Sequence, residues 1–399
     1  MTNLANGREY LAIPGPSVVP DRVLRAMHRA APNIYDGPLI DMMPAMIADL
    51  KAVARTAHHC AIYIGNGHAA WEAAVSNVFS RGNRALVLAT GRFAYGWAEM
   101  AAKMGVETVI EDFGRADPID PTRVEEMLRA DTAHEIKAVM AVQVDTSSSV
   151  LNDIAALRAA IDAAGHPALL MVDCIACLAC DRFEMDAWGV DVMVAGCQKG
   201  LMTPPGLGFV YFNDRADAAR ETATCVTHYW DWRPRTSPAR FMEYFDGTAP
   251  THHLYGLREA LDMIGEEGIE GVWARHATLA RAVWAAFEAW SQDGPLRLNI
   301  ADPAYRSNAV TTLAIGAPLG AELRNWVETN AGLTLGIGLG MNAPGDPNSD
   351  GYFRIGHMGH VNAQMVMGAL GTIEVGLKAL GIPHADGGLS AAAQVMAAG

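Results

Sequence analysis

The sequence has no long uninterrupted hydrophobic run and no surplus of positive charge. No segment approaches the roughly 18 consecutive apolar residues that a membrane-spanning helix needs, so a membrane protein is not expected. Lys and Arg number 30 against 44 Asp and Glu, which gives a formal net charge of −14. Because nucleic acids and anionic membranes attract positive surfaces, neither is an expected partner. Small anionic substrates stay possible, since a local site can be positive inside an acidic protein.

Cysteine is scarce as well, with 6 cysteines in 399 residues, which is not a disulfide framework. The opening MTNLANGREY lacks the basic-then-apolar pattern of a signal peptide, so we expect a cytoplasmic protein. Cys174, Cys177 and Cys180 have the C-x2-C-x2-C spacing that iron–sulfur proteins use. They follow the apolar run ALLMV and lack the C-x3-C-P continuation, so small buried thiols are the favoured interpretation. We predict no metal, and an iron–sulfur protein stays as the alternative.

What the chain does have is 51% hydrophobic residues, enough for a large core. Between about residues 60 and 212, helical segments alternate with the apolar runs CAIYIG, RALVLA, EIKAVMAVQV, ALLMVD, VDVMVAG and GLGFVYF. Continuous apolar strands separated by helices are typical of a mostly parallel sheet that is covered on both faces. The sequence therefore predicts an α/β fold.

Near residue 256 the pattern changes to long helices, followed by segments that are typical of a smaller α+β domain. We therefore predict an N-terminal arm and large domain over residues 1–265 and a small C-terminal domain over residues 266–399. The tail ADGGLSAAAQVMAAG is rich in glycine and alanine, and we expect it to be mobile.

Three features follow predicted strands, where open α/β sheets bind ligands. Asn66, Gly67 and His68 form a small turn before a helix, which suits a phosphate, although an ordinary tight turn is an equally good interpretation. Asp173 ends the run ALLMVD, where a carboxylate either caps a helix or needs a cationic partner. Lys199 follows VDVMVAGCQ, and it either pairs with an acid or escapes the cost of a buried ammonium by forming an imine.

The three features in this order are the parts that hold pyridoxal phosphate. A lysine that forms a Schiff base, together with an Asp that pairs with the pyridinium nitrogen, marks that cofactor. Lys199 is therefore predicted to be the Schiff-base lysine, and Asp173 the partner of the ring nitrogen.

At these residues the sequence resembles the fold type I pyridoxal-phosphate enzymes, and within them the class V aminotransferases of the alanine–glyoxylate and serine–glyoxylate group. The resemblance covers nearly the whole chain. It rests on IPGPSVVP, GNGHAAWEAA, VDTSSSV, LMVDCIA, GCQKGLMTPPGLG, LYGLREAL and FRIGHMG. It implies a large domain with a seven-stranded sheet between helices and a ping-pong transfer of an amino group.

The resemblance also implies roles for further residues around the cofactor. It places Asn66, Gly67 and His68 in the phosphate and ring-side loop, Phe93 on the face of the ring, Ser147 near the 3-hydroxyl group, and Gln198 beside the phosphate. Thr248 matches a phosphate ligand that the partner subunit supplies, which implies a homodimer with shared active sites.

Arg354 in FRIGHMG matches the arginine that binds the substrate α-carboxylate, since its fork fits a carboxylate better than the point charge of lysine. Tyr35 and Gly37 in NIYDGPL fall where serine–glyoxylate enzymes commonly show an HRSP-like stretch, so they are expected at the substrate but leave the amino donor open. The polar insertion NAPGDPNSDG before the arginine strand is a second departure.

The expected reaction is transfer from a small amino acid of the serine, alanine or aspartate type to glyoxylate or a similar small 2-oxo acid. One alternative is a pyridoxamine–pyruvate type aminotransferase, although its additional upstream arginine is not found here. Another is a lyase or desulfurase-like enzyme of the same fold, for which Cys225 is the candidate reactive cysteine.

Overall fold

The computed structural model describes residues 4–399, which form two β-sheets with helices packed around them. The larger sheet has seven strands in the order β2-β8-β7-β6-β5-β3-β4. β8 runs antiparallel to β2 and β7, and the other pairs are parallel. Its strands are β2 (His59–Gly65), β3 (Arg84–Ala89), β4 (Glu107–Asp112), β5 (Ile136–Val142), β6 (Leu169–Asp173), β7 (Val192–Gly196) and β8 (Gly206–Phe212).

Alternate side chains of this sheet enter two separate hydrophobic clusters, one on each face. Ile62 and Leu86 belong to one cluster, whereas Tyr63 and Val87 belong to the other. The continuous apolar runs are thus explained, because a strand buried on both faces has no polar side to alternate with.

Strand β4 is absent from the apolar runs that predict the other strands of this sheet. It lies at the sheet edge with the sequence ETVIED, and most of its residues are exposed or half-buried. An edge strand with polar residues resists pairing with another chain, and such a strand carries no apolar signal.

The smaller sheet has five strands in the order β1-β11-β12-β10-β9, and β1 is its parallel strand. The first strand of the described residues therefore belongs to the smaller sheet, and the division at residues 265/266 stays a prediction. Its strands are β1 (Tyr10–Ala12), β9 (Arg297–Leu298), β10 (Val310–Ala314), β11 (Leu333–Ile337) and β12 (Tyr352–Gly356).

Fourteen α-helices connect and cover the strands within the described residues. Over residues 4–399, none of them combines the length and apolar character that crossing a membrane requires. They are α1 (Asp21–Met27), α2 (Pro38–Asp41), α3 (Met43–Val53), α4 (Gly67–Val78), α5 (Arg92–Lys103), α6 (Pro121–Ala130), α7 (Ile154–Ala163), α8 (Asp214–Arg220), α9 (Trp232–Thr236), α10 (Thr251–Glu267), α11 (Ile269–Trp290), α12 (Leu319–Ala331), α13 (Ala363–Ala379) and α14 (Gly388–Ala398). Short 3₁₀ turns occupy Phe241–Tyr244, Pro303–Tyr305 and Pro347–Gly351, the last within the polar insertion.

Contrary to the prediction from the sequence, the C-terminal tail is not mobile. It forms helix α14, and this helix packs on α11. The contact is close because Gly388 faces the indole of Trp290, which is fully buried. The glycines and alanines of the tail are therefore small residues at a helix interface and not a flexible linker.

We expect Gly388→Ala to detach this helix, because its Cβ would lie 2.2 Å from Trp290 Nε1. Overpacking of this kind costs about 1–3 kcal/mol, so both the free energy of unfolding and the resistance of the tail to proteolysis should fall. Gly371→Ala in α13 is the matched control, since no atom lies within 4 Å of its added Cβ. Equal behaviour of the two variants would contradict the packing of α14.

Candidate active site

A cavity of about 220 Å³ lies at the carboxyl ends of the parallel strands. Its small volume suits a compact ligand, since sites for drug-sized molecules usually enclose about 300–1,000 Å³. Several residues predicted from the sequence line it: Asn66, Gly67, His68, Phe93, Asp173, Gln198 and Lys199. The structure thus brings together residues that lie more than 130 positions apart, because their strands end at the same edge of one sheet.

Lys199 follows β7 and reaches this cavity beneath the N-terminal segment. Its Nζ donates to the carbonyl of Pro14, and its own carbonyl accepts from Ser17 Oγ at 2.7 Å. Gly15 is needed here, because its φ is +91° and an added Cβ would lie 2.5 Å from Lys199 Nζ. Burial and the positive charge of Arg354 lower the pKa of Lys199 to about 8. The amine is therefore easier to deprotonate than an ordinary lysine.

Asp173 is the last residue of β6 and is only 3% exposed. The backbone N–H of Ile175 donates to Oδ1 at 2.6 Å, and Trp71 Nε1 donates to Oδ2 at 2.7 Å. Burial raises the pKa of Asp173 to about 7, although these two hydrogen bonds lower it. A carboxylate in this position stays charged most readily when a cation lies next to it.

The turn before α4 contributes the positive end of a helix to the same cavity. Asn66 caps that helix, and its side chain accepts from the backbone N–H groups of His68 and Ala69 at 3.0 and 3.4 Å. Beside it, Gln198 Oε1 is buried and has no hydrogen-bond partner among the described residues. The amide can also be flipped so that its NH₂ group faces the cavity, where it would suit a phosphate.

Phe93 lies in the first turn of α5 and lines one side of the cavity. The buried carboxylate of Asp145 lies behind it. The backbone N–H of Phe93 donates to Asp145 Oδ2 at 2.7 Å, and Asp145 also accepts from the hydroxyl of Ser147. Ser147 is fully buried, and the cavity is lined instead by the adjacent Thr146. The structure therefore places Ser147 behind the lining, where it braces Asp145.

Arg354 lies on β12 and is 6% exposed. Its Nη1 donates to the carbonyl of Thr146 at 2.7 Å, and its Nε donates to that of Ile337 at 2.7 Å. None of the described carboxylates forms an ion pair with it within 4 Å, and burial lowers its pKa to about 10. The guanidinium is thus a buried cation that backbone carbonyls hold next to a lining residue. It has no carboxylate within ion-pair distance, although the charge of the buried Asp145 favours its charged form from further away.

Besides Ser147 and Arg354, which lie behind the cavity lining, three more predicted residues do not line the cavity within one chain. Tyr35 is 80% exposed, and Thr248 is exposed as well. Gly37 precedes α2 with a φ of +93°, and its N–H donates to Asp36 Oδ1. If these residues act at an active site, a second chain has to bring them there.

Several residues that lie at the site had no role predicted from the sequence. Gly15 and Pro16 line the cavity, and so does Trp71. A signal was present for each of them, because Gly15 and Pro16 belong to the motif IPGPSVVP and Trp71 follows His68 by three residues on one helix face.

A larger cleft of about 1,020 Å³ lies between α1, α10, α11 and the smaller sheet. Three of the arginines that line it are paired with carboxylates, since Arg8 pairs with Asp21, Arg22 with Glu259 and Glu266, and Arg275 with Glu267. Size alone therefore does not make it the catalytic site, and the reactive groups are in the smaller cavity.

The cysteines are placed as packing residues. Cys174, Cys177 and Cys180 are fully buried in the core, and Gln143 Oε1 accepts weak hydrogen bonds from the first two thiols. Over residues 4–399, no group of three His, Cys, Asp or Glu side chains could hold a metal ion. Cys225 contacts the carbonyl of Met104 outside the cavity, and burial raises its pKa, which is the opposite of what a desulfurase nucleophile needs.

These residues fit pyridoxal phosphate. Lys199 supplies an amine with a lowered pKa, Asp173 a buried carboxylate, and Gln198 a buried polar atom that lacks a partner. Gly15 and Gly67 leave room where side chains would collide with Lys199 and Ile175.

Comparison with known proteins agrees with this geometry. The family described as Aminotransferase class-V matches residues 10–315. The chain is 36% identical to the serine–glyoxylate aminotransferase of Methylorubrum extorquens over 97% of this chain and 95% of that protein. It is 34% identical to the L-aspartate–glyoxylate aminotransferase of Paracoccus denitrificans over 96% and 94% of the two chains.

Among solved structures, the pyridoxamine–pyruvate aminotransferase of Mesorhizobium loti superposes with a TM-score of 0.86 at 26% identity, covering 98% of this chain and 97% of that one. This match confirms the predicted fold type. With the family match over more than three quarters of its residues, the chain belongs to the class V aminotransferases, which are enzymes that depend on pyridoxal phosphate.

Proposed function

We propose that this aminotransferase moves an amino group from a small amino acid of the serine, alanine or aspartate type to glyoxylate or a similar small 2-oxo acid. The observation that carries the proposal is Arg354, a buried guanidinium with no ion-pair partner within 4 Å among the described residues, beside the cavity that contains Lys199 and Asp173. The names of the relatives support it, because serine–glyoxylate and aspartate–glyoxylate enzymes are 34–36% identical to the chain.

The alternative of a pyridoxamine–pyruvate type enzyme fits less well. Its structural neighbour is 26% identical, below the glyoxylate enzymes, although the fold is shared.

Bound pyridoxal phosphate supplies an aldehyde that links to amines and a protonated ring that accepts electrons from the broken Cα–H bond. Arg354 binds the α-carboxylate of the substrate and orients it. Lys199 would take a proton from the substrate Cα and give it back later, as a general base and acid. Asp173 would hold the ring nitrogen of the cofactor in its protonated form, and Phe93 and His68, which line the same cavity, would border the ring. The same residues run the steps in reverse with the 2-oxo acid, which gives ping-pong kinetics.

We also propose that the enzyme is a homodimer whose subunits complete each other's phosphate sites. Thr248 is exposed and lies outside its own cavity, which suits a ligand donated to a partner. A cytoplasmic location is proposed as well, supported by six cysteines that are all free thiols.

A half-reaction tests the proposed activity. The purified holoenzyme is mixed with one amino acid at a time without an acceptor, and the absorbance of the lysine-linked cofactor is followed. We expect serine, alanine or aspartate to convert the cofactor to its amino form, and glyoxylate to restore it. If every amino acid of this class leaves the spectrum unchanged, the proposed reaction is wrong.

The lowered pKa of Lys199 predicts how the apoprotein reacts with pyridoxal at different pH values. Burial destabilises the ammonium, so the free amine is present above pH 8 and is lost as the pH falls below it. The rate of imine formation, measured by absorbance, should rise about tenfold from pH 7 to pH 9 and then level off. A rate that climbs steadily beyond pH 10 would instead indicate an ordinary lysine. Lys199→Ala should lose the part of the band that appears with an apparent pKa near 8 and keep only the slow reaction of the exposed lysines, which increases above pH 10.

A further inference from the structure

Trp71 connects several of the residues that surround the cavity. It lies on α4, it is fully buried, and its ring lines the cavity. Its Nε1 donates to Asp173 Oδ2 at 2.7 Å, across 102 positions of sequence. A buried indole N–H usually finds a partner, and here the partner is the carboxylate assigned to the cofactor.

This hydrogen bond acts together with a second one on the other oxygen of Asp173. The N–H of Ile175 donates to Oδ1 at 2.6 Å, so the plane of the carboxylate is fixed from two sides. Both donors favour the ionised carboxylate, because an ionised acceptor binds N–H groups more strongly than a neutral one. They oppose burial, which raises the pKa of Asp173.

The indole is itself held in place by three rings. His68 lies 4.5 Å away and Phe93 6.2 Å away, both edge-on. On the remaining side Trp97 stacks at 6.0 Å with an interplanar angle of 14°. The indole cannot turn its N–H away from Asp173 without displacing these neighbours.

We propose that Trp71 is a positioning residue that keeps Asp173 ionised and correctly oriented, so that the carboxylate holds the proton on the ring nitrogen of the cofactor. The inference rests on the role proposed above for Asp173. When the indole N–H is removed, Asp173 becomes a stronger base and competes for that proton. The ring nitrogen then loses its proton more easily, and the ring accepts electrons less readily.

The test uses the holoenzyme loaded with pyridoxal phosphate that carries ¹⁵N in its ring, because the nitrogen resonance reports the proton directly. The variant carries 3-benzothienylalanine at position 71, which keeps the shape of the indole and replaces its N–H with sulfur. Trp71→Phe serves as a second, genetically encoded variant. We expect the protonated ring nitrogen to titrate about one pH unit lower in both variants, a tenfold change, with a larger loss of kcat than change in KM.

Trp97→Phe is the matched control. Trp97 is equally buried and stacks on Trp71, but its Nε1 donates to none of the residues that the structure describes. The phenyl ring of this variant should still stack on the indole and keep the Trp71 N–H on Asp173, so the titration of the cofactor's ring nitrogen should not change. Any effect of looser packing alone is thereby measured separately.

The Asp173→Asn variant tests the role of Asp173 independently of the role of Trp71. If this variant leaves the ¹⁵N titration as in the wild type, the role proposed for Asp173 is wrong. If Asp173→Asn shifts it and the benzothienyl protein does not, the role of Trp71 alone is overturned. A melting temperature close to that of the wild type shows that the benzothienyl protein is folded.

Discussion

Replacing Lys199 with alanine is expected to lower kcat by at least about 10³-fold, because the side chain is the only amine in the cavity lining among the described residues. Proton transfer by a positioned side chain contributes roughly 10²–10⁴-fold, and loss of the covalent link to the cofactor adds to this. Single-turnover rates with an amino acid donor, measured on cofactor-loaded protein, give the result without interference from product release.

Two further variants define what is lost at this position. Lys199→Arg should not restore activity, because a guanidinium stays protonated at any working pH and cannot serve as a base. Lys378→Ala is the control, since Lys378 is exposed on α13 and pairs with Glu374. A Lys199→Ala enzyme that keeps more than a tenth of the wild-type kcat would contradict the assignment of this residue.

Replacing Arg354 with lysine should lower kcat/KM for every amino acid donor. Complete removal of one partner of a buried charge pair costs about 2–5 kcal/mol, or roughly 30-fold to several thousand-fold, and the loss with lysine should lie near the lower end because the charge is kept. Lysine retains the charge but loses the planar fork that accepts a carboxylate on two N–H groups. The backbone bonds to Thr146 and Ile337 also fix the direction of the guanidinium, and an ammonium cannot reproduce both.

Arg324→Lys is the matched control for this prediction. Arg324 is a half-buried arginine of helix α12, and its charge lowers the pKa of Arg354. It pairs with Asp350 at 3.6 Å, so it already has an anionic partner and should tolerate the change. Steady-state kinetics with two donors of different side-chain length would measure both variants. Equal losses in the two would show that the substrate carboxylate is bound elsewhere.

Much of the fold could be predicted because burial leaves a local mark on the sequence. A strand that is covered on both faces needs an unbroken apolar run, and six strands of the large sheet carry one, as in VDVMVAG and GLGFVYF. Strand β4 lies at the edge and carries no such mark. Helix α14 escaped prediction because its stability comes from contact with Trp290 and not from a strong pattern of its own.

By itself, the sequence determined the fold class, the cofactor and the positions of Lys199 and Asp173, because strand ends can be read from the pattern of apolar residues. Only the tertiary structure decided what touches them. It places Pro14 on the Lys199 amine across 185 positions and Trp71 on Asp173 across 102. It also brings Arg354 to the carbonyl of Thr146 across 208 positions. Such contacts depend on the order of strands and on how two sheets meet, and a local pattern of residues carries no record of either.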